Sequence, residues 1–213
     1  SQMPTCDAVG AIARAKNAII VGDIKQMSPT NFFSASATDE TEADVDDLES
    51  VLEDCTALSM PTYALNWHYR SHHEDLISFS NQHYYDNSLI TFPACDDCCS
   101  HVTLQHVDGY YDAGKTRTNL SEAQAIVTEI CTRLKSQPHQ SIGVVAFSSQ
   151  QSNLIEDLLN DIFATNPDIE RINLECHEPL FVKNLENVQG DERDVILFSV
   201  GYGPNKDGKI SMN

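Results

Sequence analysis

The chain has 213 residues, 41% of them apolar, and a formal charge of −19. This length allows one large domain or two small ones, and the apolar share can build a core, which excludes a disordered chain. The charge excludes a generally basic surface for nucleic acid, and no apolar run reaches the length needed to span a bilayer.

In chain order, the spacing predicts helical character over 8–15, then a short buried strand over 18–21, ended by Gly22 and Asp23. Residues 34–47 are small, polar and acidic and read as a mobile loop. A dense acidic block over 39–54 holds much of the negative charge, so the rest of the chain is far less acidic. Over 47–58, Leu48, Val51, Leu52 and Cys55 share one helical face. Pro61 ends that helix and begins an extended entry to Trp67. An amphipathic helix follows over 74–84, then short strands and loops over 86–118, of which 102–107 is the clearest strand. Ser121 is the expected N-cap of a helix reaching Lys135.

After Pro138 comes an apolar strand over 142–147. Ser149 or Gln150 opens a helix that ends near Phe163, and a loop runs to Glu178. Strands are expected over 180–185 and 195–200. This alternation predicts an α/β fold whose mainly parallel sheet is covered on both faces. The expected boundary lies near 58–62, dividing the chain into 1–58 and 59–213. The seven cysteines are odd in number and scattered, which suits a reducing cytoplasm better than a disulfide framework. The N-terminus lacks the basic and apolar regions of a signal peptide. These features predict a cytoplasmic protein without a membrane partner.

Three polar segments at strand ends carry chemistry. Gly22-Asp23-Ile24-Lys25-Gln26-Met27-Ser28-Pro29 follows the first apolar run. Asn66-Trp67-His68-Tyr69-Arg70-Ser71-His72 lies between an extended stretch and a helix. Gln189-Gly190-Asp191-Glu192-Arg193-Asp194 precedes the last strand. Three such motifs point to one site assembled at a sheet edge. Together, and in this order, they resemble motifs III, IV and V of the superfamily 1B helicases, closest in flavour to large bacterial multi-domain helicase-like proteins. The family's Gly-Asp-x-x-Gln-Leu-x-Pro is matched by Gly22, Asp23, Gln26, Met27 and Pro29. Its Tyr-Arg-Met-His-Pro is represented by Tyr69, Arg70, Ser71, His72 and His73. Its Gln-Gly-x-Glu-x-Asp is intact at Gln189, Gly190, Glu192 and Asp194. The segment 143–151 is similar to a further family stretch, with Ala146 and Phe147 in place of the usual Thr-Pro.

The resemblance implies a RecA-like fold, a P-loop NTPase-type sheet flanked by helices. Residues 1–58 would be the end of the first such domain and 59–213 most of the second. It implies an ATP- and magnesium-dependent motor moving along single-stranded DNA or RNA, 5′ to 3′. Arg70 would be an arginine finger on the γ-phosphate, a role suited to its planar, permanently charged fork. Gln26 would sense that phosphate. Gly22, Asp23, Gly190 and Glu192 would complete the nucleotide-binding set, with Glu192 on the ribose. Pro29, Thr30, Ser148, Ser149, Gln151 and Asn187 would hold the strand, helix N-termini favouring phosphate.

Ordinary structural roles stand beside these. Arg70 could pair with Glu74, Gln26 could cap a turn, Gly190 could serve a positive φ, and Ser148 or Ser149 could cap a helix. Trp67 reads as packing or as a stacking platform, and Asp194 as a structural anchor for its loop.

The chain contains no Gly-x-x-x-x-Gly-Lys-Ser/Thr phosphate loop and no Asp-Glu pair before the first motif. It is therefore expected to be a piece of a longer helicase chain. On its own it should be inactive and should bind no nucleotide tightly. Two other readings remain: a non-catalytic helicase-like interaction module, and the motor part of an ATP-driven nuclease. Cys95, Cys98 and His101 have zinc-ligand spacing, but no second pair completes a site, so none is expected.

Overall fold

The computed structural model describes residues 3–26, 50–94 and 99–210. It forms two compact units, Ser1–Thr103 and Leu104–Asn213.

The first unit contains α1 (Thr5–Ile12), α2 (Val51–Ala57), β1 (Trp67–His68), α3 (Asp75–Tyr84) and β2 (Ile90–Thr91). Helix α2 starts at a capping box: the Ser50 hydroxyl accepts from the Glu53 amide, and the Glu53 carboxylate accepts from the Ser50 amide. The Ser50 amide and then its hydroxyl hold the Glu53 carboxyl below its ordinary pKa. An antiparallel bridge, Pro4 to Ser50, brings α1 and α2 together, and Thr5 Oγ1 donates to Asp54. Strands β1 and β2 pair in parallel, Trp67 with Ile90 and His68 with Thr91.

In the second unit, α4 (Leu120–Ser136), β3 (Ile142–Ala146), α5 (Ser149–Thr165), α6 (Pro167–Glu175), β4 (Phe181–Asn184) and β5 (Val195–Ser199) follow one another. The sheet order is β4-β3-β5, and both pairings are parallel. Ala123, Val127, Ile130 and Leu134 make one buried stripe along α4. They meet Ile142 and Val144 of β3, Ile155 and Leu159 of α5 and Ile169 of α6 in a single core. Each fully buried Ile or Leu there contributes about 1.5–3 kcal/mol. Strand alternation places Ile142 and Val144 on this helical face, and Gly143 and Val145 on the other.

Several expectations need correction. Residues 18–21 and 102–107 form no strand. Ile19 is 89% exposed and Leu104 96%, because no described segment offers either a ladder partner. The N-cap of α4 is Asn119, whose side chain accepts from the Glu122 amide, rather than Ser121. The expected loop after Phe163 holds α6, which begins with Pro167 where a missing N–H costs nothing. Among the described residues the helical core packs on one sheet face. The other face carries Phe181, Ile196 and the 60% exposed Phe198.

Candidate nucleotide and nucleic-acid site

In the first unit, Asp23 organises the turn that bears Gln26. Its Oδ1 accepts from the Lys25 amide at 2.9 Å, a local Asx-type bond. Its Oδ2 accepts from Gln26 Nε2 at 3.3 Å and from Tyr85 Oη at 2.5 Å. Burial pushes the Asp23 carboxyl up, but the bonds from Tyr85, Lys25 and Gln26 outweigh it and hold the group below its ordinary value. The same burial, with the Asp23 carboxylate, pushes the Tyr85 hydroxyl up to about 12. Tyr85 thus ties the turn to the C-terminus of α3. Gly22 and Gln26 are exposed, while Pro29 and Thr30 lie outside the described residues.

Arg70 stands on a second turn. Its frame is His68, whose Nε2 lies 2.8 Å from Ser71 Oγ and accepts from the Ser71 amide at 3.2 Å. With the chain held on both sides, the Arg70 side chain is left at the exposed surface. Glu74 accepts from Thr91 Oγ1 at 3.2 Å. Trp67 stacks on Phe92 with ring centroids 5.2 Å apart. Beside this turn, Asp75 Oδ2 accepts from the His101 amide at 2.6 Å. That bond, partly opposed by burial, holds the Asp75 carboxyl below its ordinary value.

In the second unit, the segment between β4 and β5 runs the length of the sheet. It leaves the carboxyl end, where Leu185 N donates to Ala146 O. It reaches the amino end, where Val195 N donates to Ser141 O. Lys183 pairs with Asp191 at 2.5 Å. Arg193 lies over the Phe181 ring at 4.8 Å, and its Nη2 donates to Pro179 O. Asp194 Oδ2 accepts from the Ser141 amide and hydroxyl, each at 2.8 Å, so this carboxylate anchors the loop. Gly190 has φ +94°, and a Cβ there would meet nothing within 4 Å. It meets the demand of its turn and also leaves the backbone open to a ligand. Glu192 is exposed.

The strand-holding candidates of this unit share the carboxyl end of β3 and β4. Ser148 caps α5 by accepting from the Gln151 amide. Ser149 is exposed. Asn187 is also exposed, and its amide donates to Asn184 Oδ1. Gln151 departs from its expected role. It is 1% exposed, and its amide joins Asn119 N, Asn119 O and Ser199 Oγ. A side chain enclosed this way braces the fold and presents nothing to a strand. Glu122 extends the network, accepting from Ser199 Oγ at 2.7 Å and from the Gly201 amide.

Sequence reasoning missed Tyr85, Ser141 and Glu122. The Asn119-x-x-Glu122 spacing before an apolar run is a capping signal that could have exposed the last. Nothing local marks the other two, which lie 62 and 53 residues from their partners.

Arg70 in the first unit is exposed; in the second, Glu192 is exposed and a Cβ on Gly190 would meet nothing within 4 Å. Among the described residues no group of three or more His, Cys, Asp or Glu could hold a metal ion. None of their helices is long and apolar enough to cross a membrane.

A family model described as an AAA domain matches residues 48–210. The chain is similar to "Uncharacterized ATP-dependent helicase MG140" of Mycoplasma genitalium, with 37% identity over 222 residues, 96% of this chain. It is also similar to "Uncharacterized ATP-dependent helicase MG140 homolog" of Mycoplasma pneumoniae, with 34% identity over 221 residues and the same share. In each case the chain spans 19% of the relative's length. The chain belongs to this AAA-domain family, and its three polar motifs resemble those of the superfamily 1 helicases.

Proposed function

We propose that this chain is part of an ATP-dependent helicase or translocase acting on single-stranded nucleic acid in the cytoplasm. The observation that carries the reading is the likeness, across 96% of the chain, to proteins named ATP-dependent helicases. Bound ATP would supply the free energy of hydrolysis, with Mg2+ neutralising charge on its phosphates. Arg70 would bind the γ-phosphate, where a fixed cation stabilises developing negative charge. Gln26, on the Asp23-braced turn, would hydrogen-bond the same group. Gly22 and Asp23 would shape that turn. Gly190 would admit the nucleotide close to the backbone, and Glu192 would accept from the ribose hydroxyls. Pro29, Thr30, Ser148, Ser149 and Asn187 would hold the strand. The proposed lobes are 1–58 and 59–213, and the proposed polarity is 5′ to 3′.

The test is ATP turnover by the longer protein with and without single-stranded DNA or RNA. The expected result is turnover stimulated by single strands, and none from the 213-residue chain alone. Turnover by this chain, or a longer protein that ignores single strands, would contradict the reading. The second result would favour an interaction module.

A further inference from the structure

In the second unit, segments 110–118 and 202–209 meet in a surface that no role above uses. The loop after β5 leaves the carboxyl end of the sheet, the end that also carries Ser148 and Asn187. The Glu122 carboxylate pins its start by accepting from the Gly201 amide at 3.0 Å. Further on, Pro204 O accepts from the Tyr111 amide at 3.0 Å, which ties the loop to the segment before α4. The Tyr111 and Tyr202 rings meet with centroids 5.3 Å apart and planes 60° apart. Burial, then Tyr202, pushes the Tyr111 hydroxyl above its ordinary pKa, with the Arg117 charge opposing. Lys206 Nζ lies 4.7 Å from the centre of the Tyr110 ring, so a cation–π contact holds this ammonium in place. The Tyr202 side of the surface stays open, with that residue 55% exposed.

Charge sets these two segments apart. The whole chain has 13 Lys and Arg against 32 Asp and Glu. Here the balance inverts: Lys115, Arg117, Lys206 and Lys209 stand against Asp112 and Asp207. The basic side chains are all exposed, whereas the Asp112 carboxylate is engaged within its own turn by Thr116 Oγ1 at 3.2 Å. We propose that a base of a single strand stacks on Tyr202, and that Lys206, held over the Tyr110 ring, takes an adjoining phosphate. Every base has a π-face, so an exposed aromatic ring beside a cation suits single-stranded nucleic acid of any sequence. An acidic protein would engage the lysines and leave the open Tyr202 ring without a role. The proposal rests on the single-strand reading above and adds to it a base-stacking subsite that none of the strand-holding candidates supplies.

The test titrates fluorescently labelled oligo(dT) with the longer protein, read as anisotropy at several salt concentrations, beside an abasic strand of the same length. Tyr202→Ala should weaken oligo(dT) binding by about fivefold or more and leave the abasic strand unaffected, because only the stacked base is lost. Tyr202→Phe keeps the ring and should bind like wild type. Lys206→Gln should make the slope of log K against log salt shallower by about 0.7, the share of one phosphate contact. Unchanged oligo(dT) binding by Tyr202→Ala, or an equal loss for both strands, would overturn the proposal and leave the single-strand reading standing. Loss of polyglutamate binding by Lys206→Gln, with strand binding unchanged, would overturn it in favour of an acidic protein. A wild-type longer protein that binds neither strand would overturn both.

Discussion

At the residue scale, carboxylates do the organising on the turns that carry the candidate site. Asp194 holds the loop before β5 through two bonds to Ser141. Hydrogen bonds to a charged group are worth about 1.5–3 kcal/mol, so Asp194→Ala should lower stability by an amount in that range. Ser141→Ala should cost less, because its backbone amide still donates. Urea denaturation of the two single variants and the double variant checks the coupling. Asp23 and Tyr85 predict a pH signature of opposite sign at the two extremes. The lowered Asp23 pKa gives stability that is full above its ordinary value of 3.8 and lost as pH falls through the depressed value. The Tyr85 pKa is raised from 10.0 to about 12, so in that window the unfolded chain releases a proton that the folded chain keeps, and stability falls as pH rises. Tyr85→Phe should remove that alkaline loss, measured as Tm against pH.

At the scale of elements, the sheet depends on one absent side chain. A Cβ on Gly143 would come within 2.5 Å of the Phe181 ring and 2.9 Å of Ile196 Cδ1. Gly143→Ala should therefore destabilise the second unit by about 1–3 kcal/mol through overpacking. Combining it with Phe181→Leu should recover part of the loss, read by the same urea midpoints. Much of this layer was legible in the sequence. A helix reaching Lys135 and a strand over the apolar run after Pro138 were expected and stand as α4 and β3, because burial within a helix face or a sheet leaves an apolar trace. The segments at 18–21 and 102–107 carry the same apolar character without becoming strands, since a ladder needs partners that local pattern cannot count. Gln151 looked like a helix-start polar group open to phosphate. Its turn inward toward Asn119 and Ser199 depends on contacts 32 and 48 residues away.

For the whole molecule, the proposed function gives Gln26, Arg70 and Glu192 each a part in ATP turnover by a longer protein. The charge of −19 fits such a protein only if strand binding relies on backbone amides, capping side chains and local patches rather than on a broadly basic face. The role of Arg70 is the most exposed part of this claim, and single-strand-stimulated ATP turnover by the longer protein carrying Arg70→Ala tests it most directly. The expected result is a fall in kcat of about 10³-fold or more, the scale of a lost arginine finger, while the protein stays folded and still binds single strands. Turnover within about twofold of wild type, far from that 10³-fold scale, would contradict it.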